Sequence, residues 1–383
     1  MYVDDLMKSV KTTEEALKLV SELKDLLARG GFHLRKWCSN DRDVVLQIPE
    51  EERAKSLLSL DLDNLPTEST LGLKWNTETD KFVWQVLEKM HKTAENAPMT
   101  RRGVLSVVYS LFDPLGFLAP FLMKAKLLLQ MFSRKRLRWD EQLGETDREQ
   151  WLRWLKDLPQ LSRLRVDRCY KPKSLSILSS VELHLFSDGS RVGYSSVAYL
   201  RFVGSDTRIH CAFVIGKSRL APIKEISIPR VELAGAVLSV RLCRLILEEL
   251  ELPIREVTYW TDSMSVLKCI NNTSKRFHTF ESNRLALIHL GSKPHQWRYV
   301  NRDDNPADDG SKGLKLNSMI NKNRWVNGHD FLWKEEGLWP KKIETPELAD
   351  DDIEVRKEAR IYATGTSDKE PDMLMKFIHH YSS

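Results

Sequence analysis

Apolar side chains recur at helical spacing over residues 13–29, where Ala16, Leu19, Val20, Leu23, Leu26 and Leu27 share one face. Thr13 is placed to cap that helix and Gly30-Gly31 to stop it. Phe32-His33-Leu34 then reads as a short strand. Two alternating runs, Leu71 to Trp75 and Lys81 to Val86, flank Asn76-Thr77-Glu78-Thr79-Asp80 and predict a hairpin. From Arg102 to about Leu158 the pattern is largely helical, punctuated by Asp113-Pro114-Leu115-Gly116, with Trp139, Trp151 and Trp154 in its later part.

Past the loop-like Lys171-Pro172-Lys173-Ser174 the pattern changes. Val181 to Ser187, Tyr194 to Phe202 and Arg208 to Ile215 read as strands, with turns marked by glycines at 189, 193, 204 and 216. Pro229 stands where it can open a helix, which runs through Val231, Leu233, Ala234, Val237, Leu238, Val240 and Leu242 to about Leu250. Glu256 to Trp260 is a fourth strand, Ser263 to Ile270 and Thr279 to Leu290 are helices, Gln296 to Val300 is a fifth strand, and a short helix starts at Pro306. This order predicts an α/β fold with a mixed sheet flanked by helices. Beyond about Leu316 the chain is less periodic, and it is highly charged from Glu344 to Glu370.

The 383 residues suffice for two or three compact domains. The longest apolar runs are broken by Asp113, Gly116 and Pro120, well short of the roughly 20 residues a spanning helix needs. The N-terminal residues carry no signal-peptide pattern. An intracellular protein (cytoplasm or nucleus), not secreted and without a membrane partner, is expected. The five cysteines stand singly, which argues for reduced thiols and against a cysteine zinc site. The net charge of +5 says little, but Arg134, Lys135, Arg136 and Arg138 form a basic cluster. It is either a solvated helix face or a contact for nucleic-acid backbone.

Four acids occupy the edges of the α/β elements: Asp188 at the end of the first strand, Glu232 in the first turn of the long helix, Asp262 after the fourth strand, and Asp308 at the start of the last helix. Each has an ordinary explanation. Asp262 and Asp308 could cap helices, Glu232 could offset a helix dipole, and Asp188 could open a turn. Together they describe something else, because ligands gather at such edges and converging carboxylates repel unless a cation lies among them. Hard oxygen donors in that number suit Mg²⁺.

The run from Glu182 to Gly313 resembles the ribonuclease H domain of retroelements. Leu185-Phe186-Ser187-Asp188-Gly189-Ser190, Ile228-Pro229-Arg230-Val231-Glu232-Leu233, Trp260-Thr261-Asp262-Ser263 and Asn305-Pro306-Ala307-Asp308 are similar to phrases of the Bel/Pao group. The resemblance implies a ribonuclease H-like fold. It also implies that Asp188, Glu232, Asp262 and Asp308 are both catalytic residues and ligands of two Mg²⁺ ions, with Mn²⁺ as an alternative. The implied reaction is hydrolysis of the RNA strand of an RNA–DNA hybrid, with the ribose 2′-hydroxyls marking that strand. Many ribonucleases H carry a histidine between the last strand and the final helix. Here that stretch is Asn301-Arg302-Asp303-Asp304, which puts turnover rate in doubt. Asp309 beside Asp308 leaves the choice between neighbours open.

Tyr2-Val3-Asp4-Asp5 matches the YxDD box of reverse transcriptases, making Asp4 and Asp5 a polymerase remnant. Leu71-Gly72-Leu73-Lys74-Trp75 resembles the region that grips the primer, and Gly103-Val104-Leu105-Ser106 with Asp113-Pro114-Leu115-Gly116 resembles the Bel/Pao connection. The resemblance divides the chain into a partial α+β palm and thumb (1–90), a mostly helical connection (91–175), a ribonuclease H-like domain (176–315) and a linker towards an integrase region (316–383). The remaining polyprotein domains are expected partners, and no polymerase activity is expected because a further palm aspartate and the fingers are missing. Two other readings compete. One is a non-catalytic nucleic-acid-binding remnant. The other is an aspartic peptidase, which Asp188-Gly189-Ser190 and Asp309-Gly310-Ser311 oppose because Gly and Ser stand in the wrong order.

Overall fold

A computed structural model describes residues 6–54, 67–70, 73–84, 97–172, 174–175, 177–272, 274–348 and 355. Asp4 and Asp5 of the YxDD box lie outside the described residues.

Helix α1 (Thr13–Ala28) is capped by Thr12, whose extended backbone lets its side chain accept from Glu15 N at 3.1 Å; Thr13 instead donates to Asp41. Asp41 caps helix α2 (Arg42–Gln47). Phe32 to Leu34 forms no strand: among the described residues no segment pairs with it, and nearby Trp37 bridges to Arg53. The hairpin is present as β1 (Thr67–Thr70), β2 (Leu73–Asn76) and β3 (Lys81–Val83), all antiparallel. Its turn is fastened by Asp80, which accepts from Trp75 Nε1 at 2.9 Å.

Helices α3 (Arg101–Ser110), α4 (Ala119–Arg134) and α5 (Glu145–Asp157) follow, and strand β4 (Arg165–Asp167) then returns to β3. Arg168 forks onto Asp80 at 2.6 and 3.0 Å, tying β4 to the hairpin turn. Trp151 and Trp154 stack with ring centroids 5.0 Å apart, and Trp154 stacks on Phe121 at 4.5 Å.

The second sheet opens as an antiparallel meander of β5 (Leu178–Gly189), β6 (Gly193–Gly204) and β7 (Ile209–Leu220). Helix α6 (Ile228–Glu249) crosses over to β8 (Glu256–Thr261), which pairs parallel with β5. Helices α7 (Met264–Asn271) and α8 (Thr279–Gly291) lead to β9 (Trp297–Tyr299), parallel with β8. Helices α9 (Ala307–Lys312), α10 (Leu316–Lys322) and α11 (Arg324–Asn327) complete the order. The strands lie β7-β6-β5-β8-β9, a mixed five-stranded sheet with helices on both faces, as the ribonuclease H-like reading requires. No helix among the described residues is long and apolar enough to cross a membrane.

Period-two alternation sends Leu183, Leu185, Ala198 and Leu200 to one face, against Leu233, Ala236, Val237 and Val240 of α6. The opposite face presents Phe186, Val197, Tyr199, Phe213 and Trp260 to Phe117, Trp325, Phe331 and Trp339. That second core is continuous with Trp75 and Phe82 of the hairpin and with the helices between. Gly216 does not mark a turn. It lies inside β7, where its N–H donates to Leu115 O at 2.8 Å and a Cβ would collide with the Trp325 ring. Gly116, at φ +80°, approaches the same peptide so closely that its own Cβ would strike Gly216 O. Residues 316–339 are less periodic in sequence, yet Leu316, Trp325 and Leu332 are wholly buried.

Candidate active site

Asp188 lies one residue from the end of β5, and Gly189 follows it. A Cβ at Gly189 would meet Glu232 N, and one at Gly235 would come within 2.8 Å of Asp188 O. Strand end and helix therefore touch backbone to backbone, which sets Asp188 beside Glu232. Glu232 is the fifth residue of α6, just past the first turn in which the sequence placed it. The parallel register pairs Ser187 with Thr261, so Asp188 and Asp262 follow neighbouring strand positions. Asn305, fully buried, closes the group: its Nδ2 donates to Ser187 O at 3.0 Å and to Asp262 Oδ1 at 3.1 Å, and its Oδ1 accepts from Ala307 N at 3.1 Å. That last bond fixes the start of α9, of which Asp308 is the second residue.

The ordinary roles are taken by other residues. Ser263, not Asp262, caps α7, accepting from Val266 N at 3.1 Å. Helix α9 has Pro306 at its N-cap, so Asp308 is no cap. Ser190 makes the contacts of the turn after β5, accepting from the N–H groups of Val192 and Gly193. Asp188, Asp262 and Asp308 therefore do not do the turn and capping work open to them.

Each carboxylate has one oxygen steered by a donor of its own. Ser311 Oγ donates to Asp188 Oδ2, Ser263 Oγ to Glu232 Oε2 at 2.6 Å, Asn305 to Asp262, and Lys312 Nζ to Asp308 Oδ1. The neighbouring Asp309 is occupied elsewhere: it is buried and takes the guanidinium fork of Arg324 at 2.8 and 2.6 Å. Sequence reasoning found the four acids and missed these donors, although Ser263, Asn305 and Ser311 lie close to them in the chain. The loop from Asn301 to Asp304 holds no histidine, but His329 Nε2 reaches Asp304 Oδ1 at 3.1 Å from far downstream.

Burial first, and the charge of Asp262 second, push the Asp188 carboxyl up to about 7, against the opposing hydrogen bond from Ser311. Glu232 is raised by burial and by Asp188, while Ser263 opposes the shift. Asp262 is raised by burial, and Glu232 and Asp308 add to it. A carboxyl whose folded pKa exceeds its unfolded value stabilises the fold below the unfolded pKa and loses that contribution as pH rises through the folded one. For Asp188 the window runs from its ordinary 3.8 to about 7. Asp188→Asn is therefore expected to melt higher than wild type at pH 8 in chelator, with the difference shrinking towards pH 4. A constant difference across that range, read by thermal melting, would count against a raised Asp188 carboxyl.

The donor set fits a hard divalent cation in kind. Among the described residues no three such side chains gather closely enough to ligate one ion. Ligation by one or two carboxylates, completed by water and substrate phosphate, is the arrangement Mg²⁺ commonly takes.

Helix α4 begins against the end of α9, where Leu314 N donates to Pro120 O at 2.9 Å, and Gln130, one turn before the basic cluster, donates to Ala221 O at 2.7 Å. Lys135 is paired with buried Asp147 at 2.7 Å, and Arg136 occupies a turn at φ +56°.

Residues 100–263 match the family described as a Pao retrotransposon-like RNaseH-like domain, a span that includes Asp188, Glu232 and Asp262. No curated protein matches the chain. Among solved structures, the N-terminal RNase H domain of a Mycobacterium tuberculosis protein, solved as a fusion with maltose binding protein, is 14% identical. The match covers 38% of this chain and 99% of that one, at a TM-score of 0.26. LC11-RNase H1 from compost, in complex with an RNA/DNA hybrid, is 14% identical over 37% of this chain and 99% of its own, at 0.25. The protease-reverse transcriptase of prototype foamy virus is 13% identical over 48% of this chain and 29% of its own, at 0.22. The strand order of the second sheet is that of an RNase H-like fold, and residues 100–263 are similar to the Pao retrotransposon-like RNaseH-like family.

Proposed function

We propose that this chain is a Bel/Pao-type retroelement ribonuclease H that hydrolyses the RNA strand of RNA–DNA hybrids with two divalent cations, Mg²⁺ or Mn²⁺. One observation carries the reading: four carboxylates stand along one sheet edge, where burial and mutual charge raise Asp188, Glu232 and Asp262. Asp188, Glu232, Asp262 and Asp308 would hold the cations, which supply an activated water and charge stabilisation for the leaving oxygen. The chain's own part is orientation. Ser311, Ser263 and Asn305 fix the carboxylates, and the contact of Gly189 with α6 sets the spacing between Asp188 and Glu232. A labelled hybrid should be cut in Mg²⁺ and left intact in chelator, with duplex DNA untouched in both. An uncut hybrid with a folded protein would leave the other reading, a non-catalytic binding remnant, which the Lys312 charge on Asp308 favours.

The segments before this domain are assigned to the connection (91–175) and to a partial palm and thumb (1–90), and those after it to a linker (316–383). Asp4 and Asp5 are assigned to a polymerase remnant, and the other polyprotein domains to the list of partners. Arg134, Lys135, Arg136 and Arg138 are proposed to hold hybrid backbone. Lys135 is expected to contribute least, because Asp147 already engages it. Changing all four to Ala should flatten the salt dependence of hybrid binding, by up to about 0.9 log units per lost phosphate contact. An unchanged slope returns them to a solvated helix end.

A further inference from the structure

Of the four donors that steer the carboxylates, one differs in kind. Ser311, Ser263 and Asn305 bring neutral groups to Asp188, Glu232 and Asp262, which orient a carboxylate and leave its charge to a cation. Lys312 brings a full positive charge to Asp308 Oδ1. Two further cations stand behind it, Arg302 Nε at 3.6 Å and Arg324 at 3.9 Å. We propose that Lys312 is a displaceable internal counter-ion, which holds Asp308 in the cation-free protein and must leave it before a divalent cation binds there. The inference rests on the two-cation reading above and deepens it by making the Asp308 side the weaker of the two.

Of the three cations, Lys312 is the one built to move. Arg324 is fastened by its fork on Asp309 and by its NH1, which donates to Asp303 O at 2.5 Å. Arg302 remains farther off, with its side chain 68% exposed. Lys312 lies one helical turn from Asp308 on α9, the spacing that brings two side chains together on one face. Its side chain is 35% exposed, and four methylenes let the ammonium swing to solvent while the helix stays in place. Ser311, the residue before it, donates to Asp188. Helix α9 therefore touches both ends of the site with adjacent residues, one donor compatible with a bound cation and one in competition with it.

The test is Mg²⁺ and Mn²⁺ titration by calorimetry on the whole chain without nucleic acid, with melting curves in chelator and in Mg²⁺. Lys312→Met should tighten divalent binding roughly five- to tenfold, the scale of a half-exposed charge contact. It should also melt below wild type in chelator and gain more than wild type from Mg²⁺. Lys315→Met removes the same charge from an exposed neighbour and should keep wild-type affinity. Binding by Lys312→Met that is equal to or weaker than wild type, including binding undetectable in both, overturns the inference, as does an equal gain in Lys315→Met. Asp188→Asn and Asp308→Asn separate this failure from that of the parent reading. If both bind cations as tightly as wild type, the ions do not sit at these carboxylates and both ideas fall. If they weaken binding while Lys312→Met does not tighten it, the role of Lys312 alone falls.

Discussion

Asp188→Asn is expected to cut hybrid cleavage roughly a hundredfold or more while leaving the protein folded and able to hold the hybrid. Loss of a residue that merely orients a metal ligand typically costs about 10–100-fold, and removing a ligand's charge should cost at least the upper end of that range. Glu232→Gln, Asp262→Asn and Asp308→Asn should behave alike, because the four acids act on one site. Folding should survive, since Asp188, Glu232 and Asp262 all hold their charge at a cost imposed first by burial. Hybrid binding should persist where backbone contacts elsewhere supply it. The cap reading makes the contrary forecast, a loss of about 0.5–2 kcal/mol in stability with chemistry intact. Cleavage, binding and melting of each variant beside wild type decide between them; destabilised variants that cleave normally would sink the two-cation assignment.

Asp309→Asn is the informative control. It stands next to Asp308, yet its carboxylate is buried against the Arg324 fork. Weakening that pair leaves a partly buried guanidinium short of its partner, so stability should fall. The protein that remains folded should still cut. A variant that keeps its stability and loses cleavage would move the fourth ligand from Asp308 to Asp309.

Much of this edge was legible because the chemistry is local. An acid at a strand end or helix start is placed by the element that carries it, so the order of elements nearly fixes which acids meet. The strand boundaries were harder. Strand β5 runs from Leu178 to Gly189, longer than the alternating run Val181 to Ser187, because Ser180, Asp188 and Gly189 carry no apolar alternation yet still pair with β6. Phe32 to Leu34 had strand-like residues but no pairing partner among the described residues, which a local pattern cannot report. Gly216 read as a turn because a glycine needed for close approach looks the same in sequence as one needed for a bend. The segment after Leu316 was least readable. Its helices of seven and four residues and its single turns are too short to show a period, and what orders them is contact with residues far back in the chain.

That segment carries the second large effect. Trp325 is completely buried, its Nε1 donates to Gly116 O at 3.0 Å, and the Tyr199 hydroxyl donates to its carbonyl at 2.7 Å. Gly216 and Gly310 both lie against its ring, the latter so closely that a Cβ would stand 2.8 Å away. Trp325→Ala should cost about 3–5 kcal/mol, as truncation of a large buried aromatic does. That is a large share of the roughly 5–15 kcal/mol by which a domain is stable. The loss should reach the site, because the cavity opens beside Gly310 on α9, between Asp308 and Lys312. Cleavage should therefore fall in Trp325→Ala even where the protein remains folded, whereas Trp325→Phe should retain most of both properties. Ending the chain at Lys315 should do more. It uncovers Phe186, Tyr199 and Trp260, and strips buried Arg201 of the Leu332 and Lys334 carbonyls it reaches at 2.8 Å. Urea unfolding of the three variants against the full chain is the measurement. A shortened chain with an unchanged midpoint would mean that residues 316–339 only lie upon the sheet. A lowered midpoint, or failure to fold, would make them part of the core that holds α9 in place.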